Sequence, residues 1–348
     1  MPVSNTTTVG IVSTFPPEQC GVAEFAKNQF DYLTELPGYE PLKINIRDTN
    51  TIRSIFFQGG IGEADIYHTH HQFNLYKYRG AMLTRLTDAP LVTTLHDGAG
   101  KTYYPKWQVS SINRPKDVLL NGLHEWDMAV QSWIISRSAA TIVHTHADCR
   151  DLRQRYDGNI VTKPMGCEPQ KTTDSNALET VLLFGFLRDE KNIEHLIESA
   201  KFHDKEIIVA GSAADESYAE RLRQLASKYE QVSLEFKWHS ETEKETAFER
   251  ADCVALPYGD IPSGSGVLFD ALSYGRPLLC SKSTIFDEVV SETDAGVMID
   301  PKPKTIAEGI RELASKYTYY RDSTKAARER YAWPSVVEEY TELYDSLL

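Results

Sequence analysis

The chain has 348 residues, which is long for one hydrophobic core and comfortable for two domains of common size. Hydrophobic residues make up 41% and charged residues 25%, the balance of a folded globular protein. The net charge of −13 argues against nucleic acid as a partner, because an acidic surface repels a phosphate backbone. Five scattered cysteines, without a C-x-x-C pair, favour reduced thiols in the cytoplasm over a disulfide framework or a zinc site. No run is apolar enough for a transmembrane segment, no secretory signal is recognisable, and no pattern indicates an oligomeric state.

Short β-branched runs alternate with helical patterns along the whole chain, as in parallel α/β proteins. Strands are predicted in the first half at 9–14, 65–70, 90–96, 140–145 and 159–164. Helical patterns lie between them at 21–35, 73–87 and 118–137. After a polar linker at 168–179, further strands are predicted at 180–186, 206–212, 233–237, 253–258, 277–282 and 296–300. This order predicts two doubly wound Rossmann-like domains that face each other across a cleft, with ligands beyond the carboxyl ends of the strands.

The segment PSGSGVLFDALSYGRP (262–277) follows a predicted strand and opens a helix at its Ser-Gly run. Glycine lets the backbone approach a ligand, and the free N–H groups of a helix start favour an anion such as pyrophosphate. Helical spacing places Asp270 one turn after Gly266, where its carboxylate can accept hydrogen bonds from ribose hydroxyls. An ordinary serine cap with a solvated aspartate is an equally good interpretation of this segment alone.

A second strand-to-helix segment is FGFLRDEKN (184–192), in which Arg188 and Lys191 lie three residues apart. Two cations at the carboxyl end of a strand can clamp a diphosphate. The alternative is ordinary solvated charge in the first turn of a helix.

Gly21 lies at the turn into the first predicted helix, where a donor phosphate or an acceptor can approach the backbone. The segment lacks the G-x-G-x-x-G pattern, which argues against a dinucleotide cofactor. His96 ends a predicted strand before a Gly-containing loop, and as a neutral donor it could hydrogen-bond a sugar hydroxyl. A packed loop and a packed strand-end histidine remain the alternatives.

Histidines at 68, 70, 71, 96, 144 and 146 cluster in the first half, but no carboxylate or cysteine spacing completes a metal site. No metal ion is therefore expected. The long loop from Asp97 to Asp117 contains Tyr103, Tyr104 and Trp107, which suit either stacking on a sugar acceptor or simple packing.

Taken together, the motifs resemble those of the retaining, family-four GT-B glycosyltransferases, and the resemblance runs over nearly the whole chain. The segments that carry it in the first half are FPPEQCGVAEF (15–25), ADIYHTHHQF (64–73), PLVTTLHD (90–97) and KPMG (163–166). Those in the second half are FGFLRDEKN (184–192), VAGS (209–212), ADCVALPY (251–258) and SGVLFDALSYGRPLL (265–279).

The resemblance implies a first domain at 1–170 with the final helix (333–348) packed back on it, and a donor domain at 171–332. It implies that His96 lies near the transferred sugar, that Arg188 and Lys191 bind the donor diphosphate, and that these three residues act in catalysis. The donor-binding residues that it implies are Gly21, Gly211, Ser263, Ser265, Gly266, Val267 and Asp270.

Four positions depart from the family pattern. Pro262 replaces the glutamate that normally meets the donor sugar, and Asp270 replaces the longer glutamate that holds the ribose. Phe186 replaces an arginine, and Met165 replaces a histidine. Recognition of the sugar therefore has to differ, for example through Asp260, Ser263 or Ser265.

The expected activity is metal-independent, retaining transfer of a hexosyl unit from a UDP-sugar or GDP-mannose to a glycan, lipid-linked or small-molecule hydroxyl, with no cofactor. Two alternatives stay open. One is an inactive glycosyltransferase-like subunit that binds without turnover, and the other is a GT-B nucleotide-sugar epimerase.

Overall fold

The structure is a computed structural model that describes residues 6–18, 20–48, 63–72, 88–97, 115–168, 175–259, 265–282 and 284–348, with only the backbone of 115–124. Contacts divide the described residues into two compact units. The first unit comprises the residues up to Gly166 together with Trp333–Leu348, and the second comprises Cys167 to Ala332. None of the helices in these ranges is long and apolar enough to cross a bilayer.

The first unit is built on a parallel sheet with the strand order β2-β1-β3-β4-β5-β6. Its strands are β1 (Thr7–Ser13), β2 (Tyr39–Asn45), β3 (Ile66–His71), β4 (Leu91–Leu95), β5 (Ala140–Val143) and β6 (Ile160–Thr162). The sequence analysis missed β2, which pairs with β1 in parallel at one edge. Only Ile44 of its seven residues is buried, so β2 lacks the apolar run on which the other strands were recognised.

Three helices of the first unit are α1 (Gly21–Glu35), α2 (Pro115–Arg137) and α3 (His146–Arg155). The buried stripe of α1 includes Val22, Phe25, Gln29 and Leu33, at the spacing of one helix face. Thr145 caps α3, because its side chain accepts a hydrogen bond from the backbone N–H of Asp148. The helix predicted at 73–87 lies outside the described residues.

The second unit has a parallel sheet with the strand order β12-β11-β10-β7-β8-β9. Its strands are β7 (Thr180–Phe184), β8 (Glu206–Gly211), β9 (Val232–Phe236), β10 (Cys253–Leu256), β11 (Leu278–Ser281) and β12 (Gly296–Ile299). Each predicted strand of the second half is present, and the two sheets with their flanking helices confirm the α/β, doubly wound prediction.

Helices connect the strands of the second unit. They are α4 (Ile193–Ser199), α5 (Glu216–Ala226), α6 (Glu241–Arg250), α7 (Gly266–Ser273), α8 (Thr284–Thr293), α9 (Pro303–Ser315) and α10 (Tyr317–Arg330). The stripe predicted at 192–203 forms α4 and then a separate 3₁₀ turn at Ala200–Phe202. Another 3₁₀ turn, Asp189–Lys191, lies between β7 and α4.

The C-terminal helix α11 (Trp333–Asp345) packs within the first unit, against α1. The Trp333 ring is fully buried, and its centroid lies 4.9 Å from that of Phe25 and 6.1 Å from that of Tyr32. A Cβ atom on Gly166 would lie 2.3 Å from the indole, so only glycine leaves room for the ring at this position. The apolar stripe of α11 is therefore part of the first core.

Candidate functional site

Lys191 ends the 3₁₀ turn that follows β7 in the second unit. Its Nζ atom donates a hydrogen bond of 3.3 Å to the carbonyl of Phe184 and lies 4.8 Å from the ring centroid of Tyr258. Burial, and to a smaller extent the positive charge of Arg188, lower the pKa of Lys191 to about 8. The attraction of Glu190 is weaker than either effect. Lys191 is thus a cation that the protein holds at an electrostatic cost.

The start of α7 borders the same space as the Lys191 ammonium. Gly185 has a φ of 101°, and a Cβ atom there would lie 3.3 Å from Val267 Cγ2 and 3.4 Å from Lys191 Nζ. Ser265 is the N-cap residue, and its side chain accepts no hydrogen bond from the first turn within the described residues. The first N–H groups of α7 therefore have no partner from the Ser265 side chain and lie beside the half-buried Lys191 ammonium. This arrangement suits an anion.

Gly266 and Gly21 each begin a helix, and the space around each is open. A Cβ atom on either glycine would meet no described atom within 4 Å. Packing in the described residues therefore gives no reason for glycine at these positions, and both leave the helix backbone accessible to a ligand.

Arg188 is further from this space than the sequence spacing suggests. Its side chain is 58% exposed, and its guanidinium lies 3.7 Å from Glu190 and 5.8 Å from the ring centroid of Phe186. The two residues of the predicted pair therefore differ in their surroundings. Lys191 is hydrogen-bonded to the backbone, and Arg188 lies largely in solvent.

Asp270 lies one turn after Gly266 on α7, and its carboxylate is paired with Lys244 of α6 at 2.6 Å. Burial raises the pKa of Asp270, and the charge of Lys244 acts in the opposite direction. The sequence analysis missed Lys244, since it lies on another helix and no local spacing connects the two residues. Both side chains keep about a quarter of their surface exposed, so a ligand can still reach the carboxylate.

Gly211 ends β8 with a φ of 148°. A Cβ atom at this position would lie 1.7 Å from the carbonyl oxygen of Gly185, so the two strand ends approach too closely for any side chain. This contact is a structural reason for the glycine. Its assignment to donor binding stays a prediction.

An exposed aromatic pair follows β7 and β9. The rings of Phe186 and Trp238 have centroids 5.6 Å apart and keep 44% and 47% of their surfaces exposed. His239, by contrast, is buried against the Phe184 ring at 5.3 Å. Trp238 and Phe186 thus offer a stacking surface at the carboxyl edge of the second sheet.

His96 of the first unit follows β4 and is buried. Its Nε2 atom lies 3.1 Å from His70 Nδ1, and its Nδ1 atom lies 3.2 Å from His144 Nε2. Burial holds the pKa of His96 well below the ordinary histidine value, so the ring is neutral. Both ring nitrogens of His96 therefore face other histidines. The hydrogen bond from His96 to a sugar hydroxyl stays a prediction.

The described residues contain no group of three histidine, cysteine, aspartate or glutamate side chains that could hold a metal ion. Three of the buried histidines, His70, His96 and His144, are hydrogen-bonded to one another. The predicted donor residue Ser263 and the predicted acceptor-side residues Tyr103, Tyr104 and Trp107 lie outside the described residues.

Solved structures share this fold over nearly their whole length. A sucrose-phosphate synthase from Thermosynechococcus elongatus aligns at a TM-score of 0.70 and 15% identity, covering 98% of this chain and 99% of that one. Anabaena HepE in complex with UDP and glucose aligns at 0.70 and 14% identity, covering 98% and 100%. A glycosyltransferase from Rickettsia africae aligns at 0.72 and 14% identity, covering 99% of each chain. The fold is therefore that of the GT-B glycosyltransferases.

Two family matches cover the sequence. Glycosyltransferase Family 4 matches residues 10–171, and Glycosyl transferases group 1 matches residues 168–330. The protein belongs to these glycosyltransferases, which confirms the family resemblance found in its motifs. No curated protein matches the chain in sequence.

Proposed function

We propose that the protein is a retaining glycosyltransferase that moves a hexosyl unit from a nucleoside-diphosphate sugar to a hydroxyl group. The acceptor is a glycan, a lipid-linked sugar or a small molecule. The observation that carries this proposal is the position of the Lys191 ammonium beside the first turn of α7, across the space that Gly185 leaves open.

The donor diphosphate would lie in this space. The Lys191 ammonium and the N–H groups of Gly266 and Val267 supply positive charge and hydrogen-bond donors without a metal ion. A bound diphosphate would also offset the cost of burying Lys191, which explains why an ammonium is kept where its pKa falls to about 8. Arg188, which is mostly exposed, can swing toward the outer phosphate.

The nucleoside would extend along the carboxyl edge of the second sheet. Asp270 would accept hydrogen bonds from the ribose hydroxyls while Lys244 keeps its carboxylate ionised. The exposed rings of Phe186 and Trp238 would stack against the base.

The protein would promote the chemical step by stabilising the diphosphate leaving group. Negative charge develops on the diphosphate as the glycosidic bond breaks, and Lys191 with the helix start is aligned to it in advance. The acceptor oxygen would bond to the anomeric carbon on the face from which the phosphate leaves, and its proton would pass to the leaving phosphate. Attack on that face retains the anomeric configuration without a protein nucleophile.

A thermal-shift screen against UDP, GDP, ADP and their sugar conjugates tests donor binding. UDP-glucose comes first, because the neighbour HepE was solved with UDP and glucose. One nucleotide family should raise the melting temperature of the wild type, since the ligand binds only the folded state. The shift should vanish in Lys191→Ala and persist in Lys201→Ala, which removes an exposed lysine of the same unit.

The absence of a shift with every nucleotide at millimolar concentration would count against the donor site. Nucleotide binding with neither transfer nor hydrolysis would favour the inactive binding subunit, and turnover without an acceptor would favour the epimerase. For an active transferase, NMR of the product at early times shows whether the anomeric configuration of the donor is retained. An inverted product would exclude the same-face mechanism.

A further inference from the structure

A line of buried polar side chains runs through the core of the first unit. His68 and His70 lie on one face of β3, while His96 and His144 follow β4 and β5. Together with Gln29 of α1 these side chains are at most 8% exposed. Polar groups this deeply buried are stable only when each one has a hydrogen-bond partner.

Three of the rings form a chain between two end groups. The Lys163 carbonyl lies 3.1 Å from His144 Nδ1, and His144 Nε2 lies 3.2 Å from His96 Nδ1. His96 Nε2 lies 3.1 Å from His70 Nδ1, and His70 Nε2 lies 2.7 Å from the Gln29 amide atom assigned as Oε1. The oxygen and the nitrogen of an amide have nearly the same shape, so the hydrogen-bond partners decide which of the two faces His70. Each of these four contacts needs one proton.

Burial keeps these rings neutral, since it lowers the pKa of His144 to about 4 and holds the pKa of His70 and His96 well below the ordinary value. A neutral imidazole carries one N–H, so three rings supply three protons for four contacts. The Lys163 carbonyl can only accept, and the fourth proton must therefore come from the other end. Gln29 can supply it only if its NH₂ group faces His70.

The partners on the far side of Gln29 favour the same orientation. The other amide atom of Gln29, assigned as Nε2, lies 3.0 Å from His68 Nδ1 and 2.9 Å from Tyr344 Oη. His68 Nδ1 lies 2.6 Å from Tyr344 Oη, and His68 Nε2 lies 2.7 Å from Thr94 Oγ1. If this group is the amide oxygen, it accepts from Tyr344, His68 donates to Tyr344, and Thr94 donates to His68. If it is the NH₂ group, Gln29 and Tyr344 both direct a proton at one lone pair of His68.

We infer that Gln29 donates to His70, so that one unbroken relay of neutral donors crosses the core of the first unit. The relay starts at Thr94 and passes through His68 and Tyr344 to Gln29. From Gln29 it continues through His70, His96 and His144 to the Lys163 carbonyl. Each donor along this line has one acceptor, and no group is charged. We name these eight groups the histidine relay.

The relay determines the state of His96 at the end of β4. Its proton is on Nδ1, its lone pair on Nε2 is occupied by His70, and its ring cannot rotate without breaking both contacts. Gln29 and the Lys163 carbonyl are thus positioning groups for His96, which lines the strand end as a fixed, uncharged side chain and takes no part in proton transfer.

Other groups pack against the relay from the neighbouring elements. The Phe25 ring of α1 lies edge-on to His96 at 5.0 Å, and Tyr340 of α11 stacks on His68 at 5.6 Å. Burial is the main cause of the low pKa of His96 and of His144; His71 of β3 adds to it at His96, and the charge of Asp148 of α3 opposes it at His144. The neutral relay is thus enclosed by aromatic rings and lies within reach of one carboxylate.

The direct test is ¹⁵N NMR of the histidine rings in the ligand-free wild type at pH 7, with the His96 signal assigned by its loss in His96→Asn. We expect a protonated Nδ1 and an unprotonated Nε2 on His96. A proton on Nε2, or on both nitrogens, would overturn the inference, because the chain would then run the other way or carry a charge.

Two variants test the role of Gln29. In Gln29→Glu the carboxylate can only accept, so the chain is complete only with one additional proton. The ratio of its unfolding equilibrium constant to that of the wild type should therefore rise with pH. The rise is up to about tenfold per pH unit over the range in which the folded variant keeps this proton and the unfolded chain has lost it. In the matched control Tyr344→Phe, His68 can donate to Gln29 directly across 3.0 Å. The unfolding equilibrium constant of Tyr344→Phe relative to the wild type should therefore be independent of pH. His96 should keep its proton on Nδ1 in this variant.

A pH-independent ratio for Gln29→Glu would contradict the inference. If that variant does not fold, the wild-type spectrum still decides the direction of the relay. Neither measurement needs a donor or an acceptor, so their outcome is independent of the proposed transferase function.

Discussion

Replacing Lys191 by methionine is expected to stabilise the ligand-free protein while abolishing its response to a nucleotide. The ammonium is displaced from water in the folded state, which lowers its pKa from 10.5 to about 8. Each pKa unit corresponds to about 1.4 kcal/mol, so the charge costs up to about 3 kcal/mol at pH 7. Methionine keeps most of the aliphatic stem and removes the charge.

The sign of the pH dependence follows from linkage. Below pH 8 the lysine is charged in both the folded and the unfolded protein, and the whole cost is present. Between pH 8 and 10.5 the folded protein loses this proton before the unfolded chain does, so the wild type becomes relatively more stable as the pH rises. The advantage of Lys191→Met should therefore be greatest at neutral pH and disappear above the unfolded pKa.

The assay is urea unfolding of the ligand-free protein at several values between pH 7 and pH 10, followed by thermal shift with the nucleotide. Lys201→Met is the matched control, because Lys201 is exposed and its loss should change neither quantity. A Lys191→Met protein that is less stable than the wild type at pH 7, by an amount that does not vary with pH, would refute the reasoning. It would mean that the partners of Lys191 fully compensate for its burial.

Further outcomes follow from other contacts. Asp270→Asn should weaken a ribonucleotide by about tenfold in equilibrium titration and leave its 2′,3′-dideoxy analogue unaffected; equal losses for both would exclude a ribose contact. Lys244→Met should raise the pKa of the Asp270 carboxyl, so that nucleotide affinity falls at a higher pH than in the wild type when the solution is acidified. Gly211→Ala should cost about 3 kcal/mol or more in denaturant unfolding, because its Cβ would overlap a backbone carbonyl. Gly21→Ala should stay within about 0.5 kcal/mol, since its space is open. Trp333→Ala should cost about 3–5 kcal/mol, measured the same way, because it empties a filled core site, and a smaller loss would show that α11 packs loosely.

The repeating strand and helix pattern was readable from the sequence because buried parallel strands are apolar on both faces. β7 and β10 are fully buried and were recognised as continuous apolar runs. The edge strand β2 was missed, since only Ile44 is buried and its other side chains alternate without an apolar run.

Neighbours along the chain were enough to predict the α/β class, the family, and the segments after the strands in which Lys191, Gly266 and Asp270 lie. Only the tertiary structure showed that Asp270 is paired with Lys244 and that His96 is enclosed by His70 and His144. These contacts join residues from different elements at separations that no local spacing encodes. Burial, moreover, changes what each group can do, because the same histidine is a proton carrier in water and a fixed neutral donor in a core.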